Sequence, residues 1–193
     1  MTRSFRPRAR LLVTIVCALA AACRLQRPET APFRVIEPQL VEPPPHVAGP
    51  GATSIRLLET QAREHIGRKL LWRQTNGELA EDPIWHWSSS PDRYLDTALR
   101  LEVESSSSVR LVDASHAPIL AATLLMWDLD SSGSQLVGSV EFRFTAADRA
   151  VHTHMVRASE PISSGLPGNL ADAAGRLLQR LAADGLARAI PGP

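Results

Sequence analysis

The chain predicts a single small α/β domain, a mixed, largely antiparallel sheet with two main helices, set behind a signal segment and a proline-rich linker. Three patterns carry that expectation. Residues 136–145 alternate, with Leu136, Gly138, Val140, Phe142 and Phe144 on one face and Val137, Ser139, Glu141, Arg143 and Thr145 on the other, as in a half-buried strand. Residues 119–129 are apolar on both faces, which fits a central strand. Leu170, Ala173, Ala174, Leu177, Leu178 and Leu181 fall on one side of a helix spanning about 169–189.

The remaining elements follow in chain order. Phe33-Arg34-Val35-Ile36 is a candidate short strand inside an otherwise spacer-like segment. Residues 54–59 and 69–74 read as strands, the second stopped by the turn dipeptide Asn76-Gly77. A helix starts near residue 90, with Ser90 suited to the N-cap, Pro91 to the first helical position and Asp92 to the positive helix end. Tyr94, Leu95, Ala98, Leu99 and Val103 keep its spacing, and the serines of 105–108 end it. Short strands are expected at 109–112 and 151–158, with a polar loop at 130–134 between the two long strands.

The first residues point to export. Arg3, Arg6, Arg8 and Arg10 precede an apolar run over 11–22, broken only by Thr14. A basic segment, a short apolar run and small residues before a cleavage point make a secretory signal. Twelve residues form about 18 Å of helix, too short for a hydrocarbon core of roughly 30 Å. The run closes as Leu19-Ala20-Ala21-Ala22-Cys23, which resembles the lipobox of bacterial lipoproteins, with Leu19 four places before the cysteine where three is usual. The resemblance implies cleavage after Ala22 and lipidation of Cys23, including a palmitate-type acyl chain. The only other cysteine, Cys17, lies inside the apolar run, so the mature chain has no internal disulfide to form.

Residues 1–22 are therefore assigned to the signal, 23–52 to the lipidated cysteine and linker, and 53–193 to the domain. Seven of the fifteen prolines lie in 24–52. At about 3.1 Å per residue such a segment would reach roughly 90 Å when fully extended. The net charge of the precursor is +1, and removal of the four leading arginines leaves acids in excess, which is no footprint for nucleic acid.

The segment Leu70-Leu71-Trp72-Arg73-Gln74-Thr75-Asn76-Gly77-Glu78-Leu79, followed by Trp87, Pro91 and Leu95, is similar to a pattern of the ABC-type transport auxiliary lipoproteins, the PqiC-like family. There a Tyr-Arg-x-Ser-x-x-Glu-Leu stretch precedes a Trp…Pro…Leu approach to the first helix. Here Trp72 replaces the tyrosine and Thr75 the serine. The likeness spans about 33–190. It implies a periplasmic domain that serves an envelope lipid-transport system with MCE-domain and ABC transporter partners, and Arg24 after the cysteine, where an aspartate marks inner-membrane retention in enteric bacteria, points the lipid anchor to the outer membrane. It implies no catalytic residues and no cofactor, and it leaves homo-oligomers open. The alternative expectation is a structural lipoprotein docking on another envelope machine, such as a cell-wall synthase.

Other chemistry is weakly signalled. His152 and His154 would share one face of a strand, but no third zinc ligand stands at a telling spacing, so no metal site is assigned. Asp128, Asp130 and the following serines lack the ligand intervals of a calcium loop. No Gly-x-Ser-x-Gly elbow occurs, and the single lysine, Lys69, sits in no phosphate loop. An enzyme is not expected. Trp85 and Trp87 are candidate partner contacts, with a role as core plugs that seat the first helix as the favoured expectation.

Overall fold

A computed structural model describes residues 32–44, 46–162 and 168–190. Among the described residues, one mixed sheet of nine strands carries two helices. The strands are β1 (Arg34–Ile36), β2 (Thr53–Leu57), β3 (Gln61–Ala62), β4 (Lys69–Arg73), β5 (Leu79–Trp87), β6 (Val109–Leu111), β7 (Ile119–Leu129), β8 (Gln135–Thr145) and β9 (Val151–Pro161). The helices are α1 (Pro91–Ser105) and α2 (Gly168–Ala189). The two-helix mixed α/β architecture expected from the patterns is the one observed.

β7 organises the sheet. Along one edge it pairs antiparallel with β8, from Ile119 opposite Thr145 to Leu129 opposite Leu136, and β8 pairs antiparallel with β9 along its whole length. Along its other edge β7 receives three short parallel strands in succession. β2 meets Ile119 and Leu120, β3 meets Thr123 and Leu124, and β4 meets Leu129. The sheet therefore forks, with β6 beside β2 at one end and β5 and β1 beyond β4 at the other. The long ladders are antiparallel and the short ones parallel. Along most of β7 the residues are alternately buried and half-buried, so neither face is open to water and 119–129 needs no polar alternation.

The core lies between the sheet and the helices. Leu136, Val140 and Phe142 of β8, Leu120, Leu124 and Trp127 of β7, and Leu170, Leu177, Leu178 and Leu181 of α2 are all buried in one cluster. α1 contributes Leu95, Leu99 and Val103. Its start agrees with the sequence: Ser90 is the N-cap with extended backbone and Pro91 opens the helix. The Ser90 side chain makes no capping bond; its carbonyl instead accepts from the Arg93 N–H at 3.1 Å.

The expected linker needs correction. The compact unit begins at Phe33, not at 53. β1 pairs parallel with β5, Ile36 is buried against the core, and Pro38 is buried too. The chain then straps the two helices from outside. Gln39 N–H donates to the Ala171 carbonyl at 3.2 Å, and the Gln179 amide donates to the Val41 carbonyl at 2.7 Å. Further on, His46 N–H donates to the Glu104 carbonyl and Gly49 N–H to that of Ser107. Prolines suit such a strap because it needs few N–H donors and a preset extended backbone. Only residues 24–32 then separate Cys23 from the fold.

β5 was not foreseen as a strand. Pro83 interrupts its pattern, and Pro is tolerated there because the chain bulges at that point. The Asp82 carboxylate turns back to accept from the N–H groups of Ile84 and Trp85, each at 2.8 Å.

Candidate interaction surface

The residues singled out in the sequence converge on β4, β5 and β1. The β4–β5 hairpin closes at Asn76-Gly77, where Gly77 has φ +87°, a conformation that favours glycine. Gln74 N–H donates to the Glu78 carbonyl at 2.8 Å across this turn. Trp72 donates its indole N–H to Asp82 Oδ2 at 2.9 Å, so one carboxylate ties β4 to the bulge of β5. Burial pushes the Asp82 carboxyl up, but the N–H groups of Trp85 and Ile84, the Trp72 indole and the His86 charge together outweigh it. The net shift is below the ordinary aspartate value.

Arg73, next to Trp72, is partly exposed and pairs with a buried carboxylate. Its Nε donates to Asp128 Oδ1 at 3.1 Å and its Nη2 to Asp128 Oδ2 at 2.6 Å, a two-pronged fit of guanidinium to carboxylate. Asp128 is 2% exposed. The pair joins the end of β7 to β4 across a sequence separation that no local pattern discloses.

The two candidate contact tryptophans part company. Trp87 is 1% exposed and packs on Trp127, with ring centroids 5.7 Å apart and planes tilted by 59°. It is a core residue and offers no surface to a partner, which corrects its assignment as a contact. Burial follows from the strand period: Trp87 stands opposite Ile36 on the core-facing side of β5. Trp85 is half-buried at the rim, with the Arg34 guanidinium 5.3 Å from its ring centroid. On the outward side, His86 stacks with Phe33 at 5.3 Å and 15°.

The other candidates lie elsewhere. His152 and His154 are exposed on β9, opposite Phe144 and Phe142 of β8. Among the described residues, no group of three or more His, Cys, Asp or Glu side chains is placed to hold a metal ion. Asp130 is occupied by its own hairpin loop. It accepts from Ser134 N–H at 2.8 Å, Gln135 N–H at 3.0 Å and the Ser132 hydroxyl at 2.8 Å. Burial acts to raise its carboxyl, and these bonds override it and lower the value. Cys23 and the signal segment lie outside the described residues. Among the described residues, no helix is long and apolar enough to cross a membrane.

Sequence reasoning missed the Arg73–Asp128 pair, the Asp82 bulge and the outward Phe33–His86 stack. One signal was available: the apolar Phe33-Arg34-Val35-Ile36 run, whose alternation fits a strand edge better than a spacer.

No family model matches the chain, and no curated protein matches it. Solved structures do share its fold. One is described only as an uncharacterized protein, with 9% identity over 80% of this chain and 96% of the other and a TM-score of 0.65. A second is protein XCC0632 from Xanthomonas campestris, described under the family model DUF330, with 17% identity, 79% and 91% coverage and a TM-score of 0.61. A third is the hypothetical protein CT253 from Chlamydia trachomatis, with 13% identity, 71% and 95% coverage and a TM-score of 0.54. The class these likenesses define is an open mixed sheet carrying two helices. At such identities they speak to fold alone.

Proposed function

We propose that the protein is a non-catalytic, lipid-anchored auxiliary component of an ABC/MCE-type envelope lipid-transport system, held at the periplasmic face of the outer membrane. The observation that carries this reading is the lipobox-like run ending in Cys23, placed ahead of a domain with the Leu70–Leu79 stretch and the Trp87–Pro91–Leu95 approach to α1. Two features of the domain fit the reading. The polar side chains around the β4–β5 hairpin are engaged with one another, as in Trp72 with Asp82 and Arg73 with Asp128, which suits a rigid assembly module. Trp85, half-buried beside Arg34, is the remaining aromatic contact of the two proposed from sequence.

The anchor and the partner are tested separately. Replacing Cys23 with Ser abolishes palmitate labelling and releases the protein from membranes; retained labelling would overturn the anchor. Cross-linking in intact cells through a photoreactive residue at Trp85, followed by identification of the adduct, recovers an MCE-domain protein or a transporter subunit. Recovery of cell-wall synthases alone would replace this reading with that of a structural lipoprotein docked on another machine.

A further inference from the structure

The exposed apolar side chains are not scattered evenly. Phe33, Val35 and Ile84, at 63%, 48% and 37% exposure, gather on the outward side of β1 and β5. The register brings them together. Val35 stands opposite His86 in the β1–β5 ladder, Ile84 lies two residues from His86 on the same side, and the Phe33 ring stacks on His86. Lys69 also stands opposite His86, and its ammonium is paired with the Glu81 carboxylate, so the rim holds a neutralised pair. β1 is the edge strand of its end of the sheet.

Where the chain comes from decides what covers this patch. Phe33 is the first residue of the compact unit. Cys23 lies ten residues earlier, so the path between them reaches at most about 36 Å and about 31 Å in a polyproline form. We propose that the outward face of β1 and β5, centred on Phe33, Val35 and Ile84, rests on the surface of the bilayer that holds the lipid of Cys23. The proposal rests on the lipid-anchor reading given above.

The physical case has three parts. A cluster of exposed apolar side chains marks a contact surface, whereas single ones do not. Three partly exposed side chains bind a membrane only weakly by themselves, but a short tether supplies the high local concentration that makes a weak contact persist. The charged pair at the patch does not oppose contact with a headgroup layer, since the Lys69 ammonium is neutralised by the Glu81 carboxylate.

The test uses the chain from Cys23 onward, in which Cys23 is the sole cysteine. Its thiol is coupled to a maleimide phospholipid in vesicles of phosphatidylethanolamine and phosphatidylglycerol. Chemical coupling makes the outcome independent of lipidation in cells, which the palmitate labelling of Cys23→Ser decides by itself. A Phe33→Trp variant is compared with Met155→Trp, placed on the exposed edge strand β9. On the vesicles, the emission added by Phe33→Trp shifts to the blue and is lost to bromine-labelled acyl chains, while that added by Met155→Trp does neither. Emission from Phe33→Trp that stays as open to aqueous iodide on vesicles as in solution overturns the proposal. So does a blue shift that grows with protein concentration without vesicles, because a second copy would then be the occupant.

Discussion

Gly175 of α2 lies directly beneath the backbone carbonyl of Gln39: a Cβ at that position would stand 1.9 Å from the oxygen. The strap and the helix touch backbone to backbone, so the proline-rich segment is seated on α2 and not merely near it. Gly185, nearly three turns on, is pressed in the same way by the Phe142 ring from the sheet side, at 2.1 Å for the equivalent atom.

Gly175→Ala therefore destabilises the domain although alanine is the better helix former. The propensity gain of about 1 kcal/mol is set against the displacement of a strap that also holds Ile36 and Pro38 in place. Overpacking of this kind costs about 1–3 kcal/mol and more when backbone must move. Urea denaturation of Gly175→Ala shows a lower midpoint than wild type, while Gly67→Ala, with nothing within 4 Å of its added atom, stays close to wild type.

The Arg73–Asp128 pair gives a second measurable cost. Arg73→Ala leaves a carboxylate that is 2% exposed without its guanidinium, a loss of about 3 kcal/mol. The double change Arg73→Met with Asp128→Leu recovers much of it, because no buried charge is left unpaired. A double-mutant cycle by chemical denaturation reads the coupling. Equal stability of Arg73→Ala and wild type would show the pair to be energetically idle.

Asp82 makes stability depend on acid pH. Its folded value is lowered, so the carboxylate binds protons less readily in the native state than in the unfolded chain. Its contribution is present above the unfolded value, near pH 4, and is lost as pH falls through the lower folded one. The wild type consequently loses stability between about pH 5 and pH 2 more steeply than Asp82→Asn, whose amide oxygen still accepts from Ile84 and Trp85. Denaturation midpoints across that range provide the comparison, with parallel profiles as the contrary result.

Two deletions locate the start of the domain. Removing residues 24–31 leaves the melting temperature of the mature chain unchanged, because the compact unit begins at Phe33. Removing 33–40 takes away β1, the buried Ile36 and Pro38, and the Gln39 bond to α2, with a loss above about 3 kcal/mol. Calorimetry of the two variants separates a spacer from a strap.

The sequence by itself determined the elements whose signals are local. The alternation of 136–145 belongs to β8, the two-sided apolar run of 119–129 to the central β7, and the helical spacing of Leu170 through Leu181 to α2. The helix start at Ser90-Pro91 was equally legible, because an N-cap and a first-turn proline are set by the backbone of a few neighbours. Only the tertiary structure decided the rest. The strap over 37–44 and 46–50 has no periodicity, since its bonds go singly to carbonyls of Ala171, Glu104 and Ser107. β5 was hidden by Pro83, whose place depends on a bulge that Asp82 stabilises. Trp85 and Trp87 are near-identical in local sequence, yet one is at the rim and the other in the core. Both point to the same face of β5, and what divides them is position along the strand: Trp87 lies over Ile36 and Trp127 while Trp85 lies beside Arg34, a matter of packing between distant parts of the chain.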